Sequence, residues 1–133
     1  MKSLVFLALL SSMLLAKGLC VVTAQSSSIN EVSVHQLRDV FLQKRKFIDG
    51  KKVVAVNFMA SNSYRIEFEK TVLKMQRDKL NSYWVRQHFQ GISPPITQAS
   101  PEAMKRFIQN VEGSIGYLPR EMLDESLKVL YEF

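Results

Sequence analysis

The chain has 133 residues, 18 Lys+Arg against 12 Asp+Glu for a formal net charge of +6, 47% hydrophobic residues and a single Cys. That is room for one domain of ordinary size and too little for a two-domain enzyme with a cleft between its halves. The apolar content excludes a disordered chain, 5 Gly and 4 Pro exclude a collagen-like or linker-like one, and one Cys excludes a disulfide scaffold.

The amino terminus reads as a secretory signal. Met1-Lys2 is a positive start, Leu4 to Ala16 is an uninterrupted apolar and small-residue run, and Ala16-Lys17-Gly18 is a small-x-small tripeptide suited to a signal peptidase. A second candidate cut follows Val22-Thr23-Ala24; the early cut keeps Cys20 and the late one removes it. An uncleaved anchor is the competing reading, but the run is short of the roughly 20 residues that span a bilayer. A lipoprotein cut before Cys20 is disfavoured because Lys17-Gly18-Leu19 lacks the usual small-residue pattern. The expectation is a signal peptide 1–18 and a domain 19–133, periplasmic or secreted, with no stable membrane span after cleavage. The cut takes Lys2 and Lys17 and no acidic residue, so the remainder stays mildly basic.

Leu19-Cys20-Val21-Val22-Thr23 is a short β-branched run, suited to a buried strand if the early cut is used. Ser33 is placed to cap a helix, with Gln36 completing a capping box, Val32 and Leu37 forming a hydrophobic staple, and Leu37, Val40 and Phe41 as the buried stripe. Lys44, Arg45, Lys46, Lys51 and Lys52 then bunch around the turn signal Ile48-Asp49-Gly50. A solvated loop is preferred there to a nucleic-acid patch, because Phe47 alone does not make an aromatic-studded basic face.

Lys52 to Phe58 is a near-continuous apolar run, the pattern of a strand covered on both faces in a parallel sheet. Ser61-Asn62-Ser63 offers three caps for a helix carrying Tyr64, Phe68, Val72 and Met75 at helical spacing. A further helix is predicted from Asp78 to Phe89, ending at Gly91, with a loop through Pro94-Pro95. Ser100-Pro101-Glu102 supplies a cap, a first-turn proline and a first-turn acid ahead of Met104, Phe107, Ile108 and Val111, and Gly113 stops that helix. Ser114–Leu118 and Leu127–Tyr131 are the closing strands. Strands alternating with helices give an α/β fold with a mostly parallel sheet and right-handed connections.

The stretches Gln36–Leu42, Asp49-Gly50 leading into an apolar strand, the serine-rich turn into a helix, and Gly113-Ser114-Ile115-Gly116-Tyr117-Leu118 together resemble one lobe of the phosphate-binding periplasmic component of ABC transporters. The likeness covers nearly all of residues 19–133. It is similar also to small secreted bacterial proteins with a single such lobe, in which a Tyr-Trp-x-Arg-x-x-Phe-x-Gly stretch precedes a Pro-Pro pair; here these are Tyr83–Gly91 and Pro94-Pro95. The resemblance implies a single three-layer lobe of a type 2 periplasmic binding protein, and a substrate-binding-like function that takes phosphate or another small oxyanion in connection with ABC transport. In full-length relatives phosphate is held between two lobes by amides and hydroxyls at helix N-termini, an Arg and an Asp. This chain has Phe58-Met59-Ala60 where those two side chains precede the serine turn, and its 133 residues are expected to form one lobe without the second.

Independently of the resemblance, a helix N-terminus offers unpaired N–H groups and partial positive charge to an oxyanion, and a strand-to-helix turn is where open α/β sheets bind ligands. Ser61, Asn62 and Ser63 are therefore the candidate ligand-binding residues, with the Arg65 guanidinium as an added fork of donors. The plain alternative is that the serines only cap the helix and Arg65 lies in solvent. Ser26-Ser27-Ser28 reads as a loop.

Enzymatic readings find no support. Cys20 has no Cys-His signature, His35 and His88 stand far apart without ligands at metal spacing, and Glu67 and Glu69 are two apart on one helix and point to different faces. Tyr83 and Trp84 are expected to anchor the core. No metal or cofactor is implied. The competing function is an interaction module that has lost small-ligand binding and docks on an envelope protein partner, with an apolar patch where the second lobe would have packed.

Overall fold

The computed structural model describes residues 18–133, so the expected signal segment, Gly18 apart, lies outside the described residues. The elements in chain order are β1 (Leu19–Ala24), α1 (Val34–Phe41), β2 (Phe47–Ile48), β3 (Lys51–Lys52), β4 (Val54–Phe58), α2 (Ser63–Phe68), which runs on through a wider π turn (Glu69–Leu73), α3 (Arg77–Phe89), β5 (Ile96–Gln98), α4 (Pro101–Asn110), β6 (Ser114–Pro119), a short 3-10 turn (Arg120–Met122) and β7 (Leu127–Glu132).

Local chemistry explains most of the starts and stops. Ser33 accepts from the Gln36 amide and the Gln36 side chain accepts from the Ser33 amide, closing the capping box of α1. Ser100 caps α4 through the Ala103 amide, with Pro101 in the first turn. Gly91 and Gly113 take left-handed conformations after α3 and α4.

The main sheet has the order β5-β4-β6-β1-β7. β4 pairs in parallel with β5 and β6, while β1 runs antiparallel to both β6 and β7 and against the direction of the other four strands. The sheet is thus mixed though mainly parallel, with helices on both faces. Sidedness shows on β6. A side chain added at Gly116 would meet Met104 and Ile108 of α4, whereas the next residue, Tyr117, packs among Phe41, Phe58, Phe68 and Phe133 on the opposite face, the Phe68 ring stacked on it at 4.2 Å. The three layers are α1 and α2, the sheet, and α4. Each fully buried aromatic in this cluster contributes about 1.5–3 kcal/mol of apolar burial.

Four features differ from the sequence expectation. The first strand does not open a parallel β-α-β unit with β4; it lies between β6 and β7 instead. The basic loop is a two-stranded hairpin, β2 against β3, with Asp49 and Gly50 at positive φ and Ile48 buried beneath it. The helix expected through Met75 widens at Glu69 and ends before Lys74, which is left-handed. A short strand, β5, follows Pro94-Pro95 where a loop was expected.

Candidate functional site

β4 is an inner strand and its carboxyl end feeds α2 through Met59–Asn62. Of the three candidate caps the structure uses Asn62: its Oδ1 accepts from the amides of Tyr64 at 2.8 Å and Arg65 at 3.3 Å. The hydroxyls of Ser61 and Ser63, both exposed, make no hydrogen bond to any described residue. The carboxamide oxygen of Asn62 therefore stands where an oxygen of a bound oxyanion would meet the first free amides.

Arg65 does not lie in solvent. Its Nε donates to Glu69 Oε2 at 3.0 Å and its Nη1 to the Phe58 carbonyl at 2.8 Å. Arg77, from the start of α3, donates through Nη2 to Glu69 Oε1 at 2.7 Å and to the Ala60 carbonyl at 2.8 Å. Two guanidinium groups and one carboxylate thus stitch the carbonyls of Phe58, at the end of β4, and Ala60, in the turn, to the helices that follow, and the triad leaves one positive charge uncompensated beside the serines. The sequence reading missed Glu69 and Arg77. The i,i+4 spacing of Arg65 and Glu69 was a legible signal, but the bond from Arg77 to Ala60 spans a loop and was not.

The register pairs Phe58 with Gln98, so the carboxyl ends of β4 and β5 share one edge of the sheet. The Ser100 cap of α4 follows β5 at that edge, which brings a second helix N-terminus to the same side as the Ser61–Ser63 turn. Ser26-Ser27-Ser28 sits at the opposite edge, past the Ala24–Leu127 pair. Beside the turn runs an open groove of about 640 Å³ lined by Ala60, Ile66, Lys70, Lys74, Met75 and Arg77.

Deeper, the Asn57 side chain accepts from the Phe58 amide and from the Tyr117 hydroxyl, and burial pushes the Tyr117 phenol far above its ordinary value. Cys20 is wholly buried in β1 and burial pushes its thiol up, which leaves it unreactive. Tyr83 and Trp84 pack edge to face on the core, and the Tyr83 hydroxyl donates to the Leu42 carbonyl at 2.6 Å. His35 lies 3.7 Å from Asp39 on α1 and His88 is on α3. Among the described residues no group of His, Cys, Asp and Glu is arranged to hold a metal ion, and no helix is long and apolar enough to cross a membrane.

Neither a protein-family model nor a curated protein matches the sequence. Solved structures do match over 86% of the chain. They include a protein from Clostridium perfringens assigned to phosphate ABC transport as a substrate-binding protein and solved with bound phosphate, at 15% identity and TM-score 0.69 over 44% of its length. An ABC-type phosphate transport receptor from Vibrio cholerae matches at 17% identity and TM-score 0.67 over 45% of its length. PstS from Borrelia burgdorferi matches at 12% identity and TM-score 0.64 over 46% of its length. The chain has the fold of part of a phosphate-type substrate-binding protein. It spans less than half the length of these structures, and at such identities the likeness is one of fold.

Proposed function

We propose that this protein is a secreted, substrate-binding-like lobe connected with ABC transport, that it is not an enzyme, and that it receives a small oxyanion, phosphate first, at Ser61, Asn62 and Ser63. One observation carries the reading. A helix N-terminus with two unengaged serine hydroxyls opens at the carboxyl end of β4, beside a net positive triad and a second capped helix start. Arg65 acts there by fixing the turn and lending charge, since its Nε and Nη1 are already committed. A ligand bound here displaces or joins the Asn62 oxygen on the Tyr64 and Arg65 amides. A half-open site facing water keeps little of the Coulomb gain, so affinity near 1 mM is the expected scale.

The test is thermal unfolding of the full chain against phosphate, sulfate, nitrate and carboxylates at fixed ionic strength. A phosphate concentration about tenfold above Kd stabilises the fold by about 1.4 kcal/mol, and the Ser61→Ala/Ser63→Ala variant loses that shift. Folded protein that shows only a general salt effect refutes the reading. That outcome favours the second reading, a module that docks on an envelope protein through this edge. Met59 and Ile66, 51% and 53% exposed, flank the turn and are the apolar side chains such a contact would use. In that case Met59→Ser/Ile66→Ser weakens partner binding and leaves stability unchanged.

A further inference from the structure

On the inner side of α2, away from the serine turn, lies a second and more enclosed pocket of about 350 Å³ between β4, β5 and the helices α1 to α3. Its polar part is Asn57, Arg65, Glu69 and Thr97; its walls are apolar, with Trp84 and Pro95 among them. The donors are unspent. Asn57 is 5% exposed, and because its Oδ1 accepts two hydrogen bonds its amide orientation is fixed. Its Nδ2 donates to no described residue, yet no buried side-chain nitrogen or oxygen among the described residues lacks a partner. Nδ2 therefore has its opening into the pocket it lines. Arg65 is in the same position, with Nε and Nη1 engaged and Nη2 bonded to no described residue. Glu69 brings no free negative charge, because Arg65 and Arg77 hold its two oxygens.

We propose that this pocket is a binding site for a small carboxylic acid with an apolar body, separate from the serine turn. The carboxylate's two oxygens accept from Arg65 Nη2 and Asn57 Nδ2, with the Thr97 hydroxyl at the rim, and the body lies against Trp84 and Pro95. Inorganic phosphate is the wrong shape for this chemistry. It carries oxygens on every side, and the apolar walls would leave several of them desolvated without donors. The volume falls in the range of small-molecule sites.

Trp84 is the chain's one tryptophan and lines this pocket, so its emission responds to what binds there, and the Asn57 and Thr97 variants assign the response to this side of the ring. The experiment titrates the full chain with isovalerate, isovaleramide and inorganic phosphate at fixed ionic strength, reading Trp84 emission and the unfolding midpoint. Isovalerate gives a saturable emission change and raises the midpoint; the uncharged amide binds roughly tenfold more weakly, the loss expected of hydrogen bonds to a charged ligand. Asn57→Asp keeps the acceptor for Phe58 and Tyr117 but removes the donor and adds repulsion, and it abolishes the response. Should that variant fail to fold, Thr97→Val on the exposed edge strand carries the test with a several-fold loss. Ser61→Ala/Ser63→Ala leaves the isovalerate response intact, which separates this site from the oxyanion turn. No saturable response, an equal response to phosphate, or unchanged affinity in a folded pocket variant overturns the proposal.

Discussion

Replacing Glu69 by Gln tests the triad that holds the candidate turn. The Glu69 side chain is 7% exposed and Arg65 15%, so removing the carboxylate charge strands a nearly buried guanidinium, whereas Arg77 at 37% is hydrated enough to contribute little. Breaking one partner of a fully buried pair costs about 3–5 kcal/mol; partial exposure of both arginines and the retained amide oxygen reduce this to about 2–3 kcal/mol. The assay is urea unfolding. With a slope of about 1.5 kcal/mol per molar for a domain of this size, the midpoint falls by about 1.5 M at unchanged slope. Arg65→Met/Glu69→Leu removes both charges and recovers to within about 1.5 kcal/mol of wild type, the remainder reflecting the Phe58 carbonyl left without its donor. A second readout ties this to function, because Glu69→Gln releases Arg65 Nε and enlarges the midpoint shift given by phosphate. A cost of Glu69→Gln below about 0.5 kcal/mol, or a double variant as costly as both singles together, would refute the reasoning.

Two further outcomes follow from geometry elsewhere. Gly113→Ala places a side chain at φ +77 against the backbone carbonyl of Lys52 and costs about 3–4 kcal/mol, whereas Gly50→Ala, at φ +78 with open space around it, costs about 1 kcal/mol; equal costs by calorimetry would show that strain alone governs both. The Lys105 ammonium, 2.7 Å away, and Ser126 hold the Asp124 carboxyl down to about 2 from an ordinary 3.8. The unfolded chain thus takes up the proton first, and the stabilisation, present above about pH 4, is lost as pH falls through 2. Asp124→Asn flattens the stability profile across that window, and a profile identical to wild type contradicts the assignment.

The sequence disclosed what is decided locally. The Ser33–Gln36 box, the Ser100-Pro101-Glu102 start and the near-continuous apolar run into Phe58 each carry their cause within a few residues, and all three are in the structure. What it hid depends on distant partners. β5 has three residues, no alternation, and an existence that rests on pairing with β4. The antiparallel placement of β1 follows from β6 and β7, nearly the whole chain away. Within the candidate turn, Ser61, Asn62, Ser63 and Arg65 were legible as a group, but not which one caps, nor that Arg65 is claimed by Glu69 and Phe58. Asn57 passed unnoticed inside an apolar run, although a carboxamide in a buried strand signals a polar partner.

The position of β1 also bears on how the chain is made. Leu19 and Phe133 exchange backbone hydrogen bonds, and both strands that pair with β1 lie beyond Gly113. A nascent chain that has emerged only as far as α4 has β1 in hand with no strand to pair it, and the backbone of Cys20, Val21 and Val22 stays unpaired until β6 and β7 have followed. Such high contact order slows folding and keeps the growing polypeptide open. For a protein read as exported this is an advantage: translocation requires an unfolded thread, and this sheet cannot close before its final strand arrives.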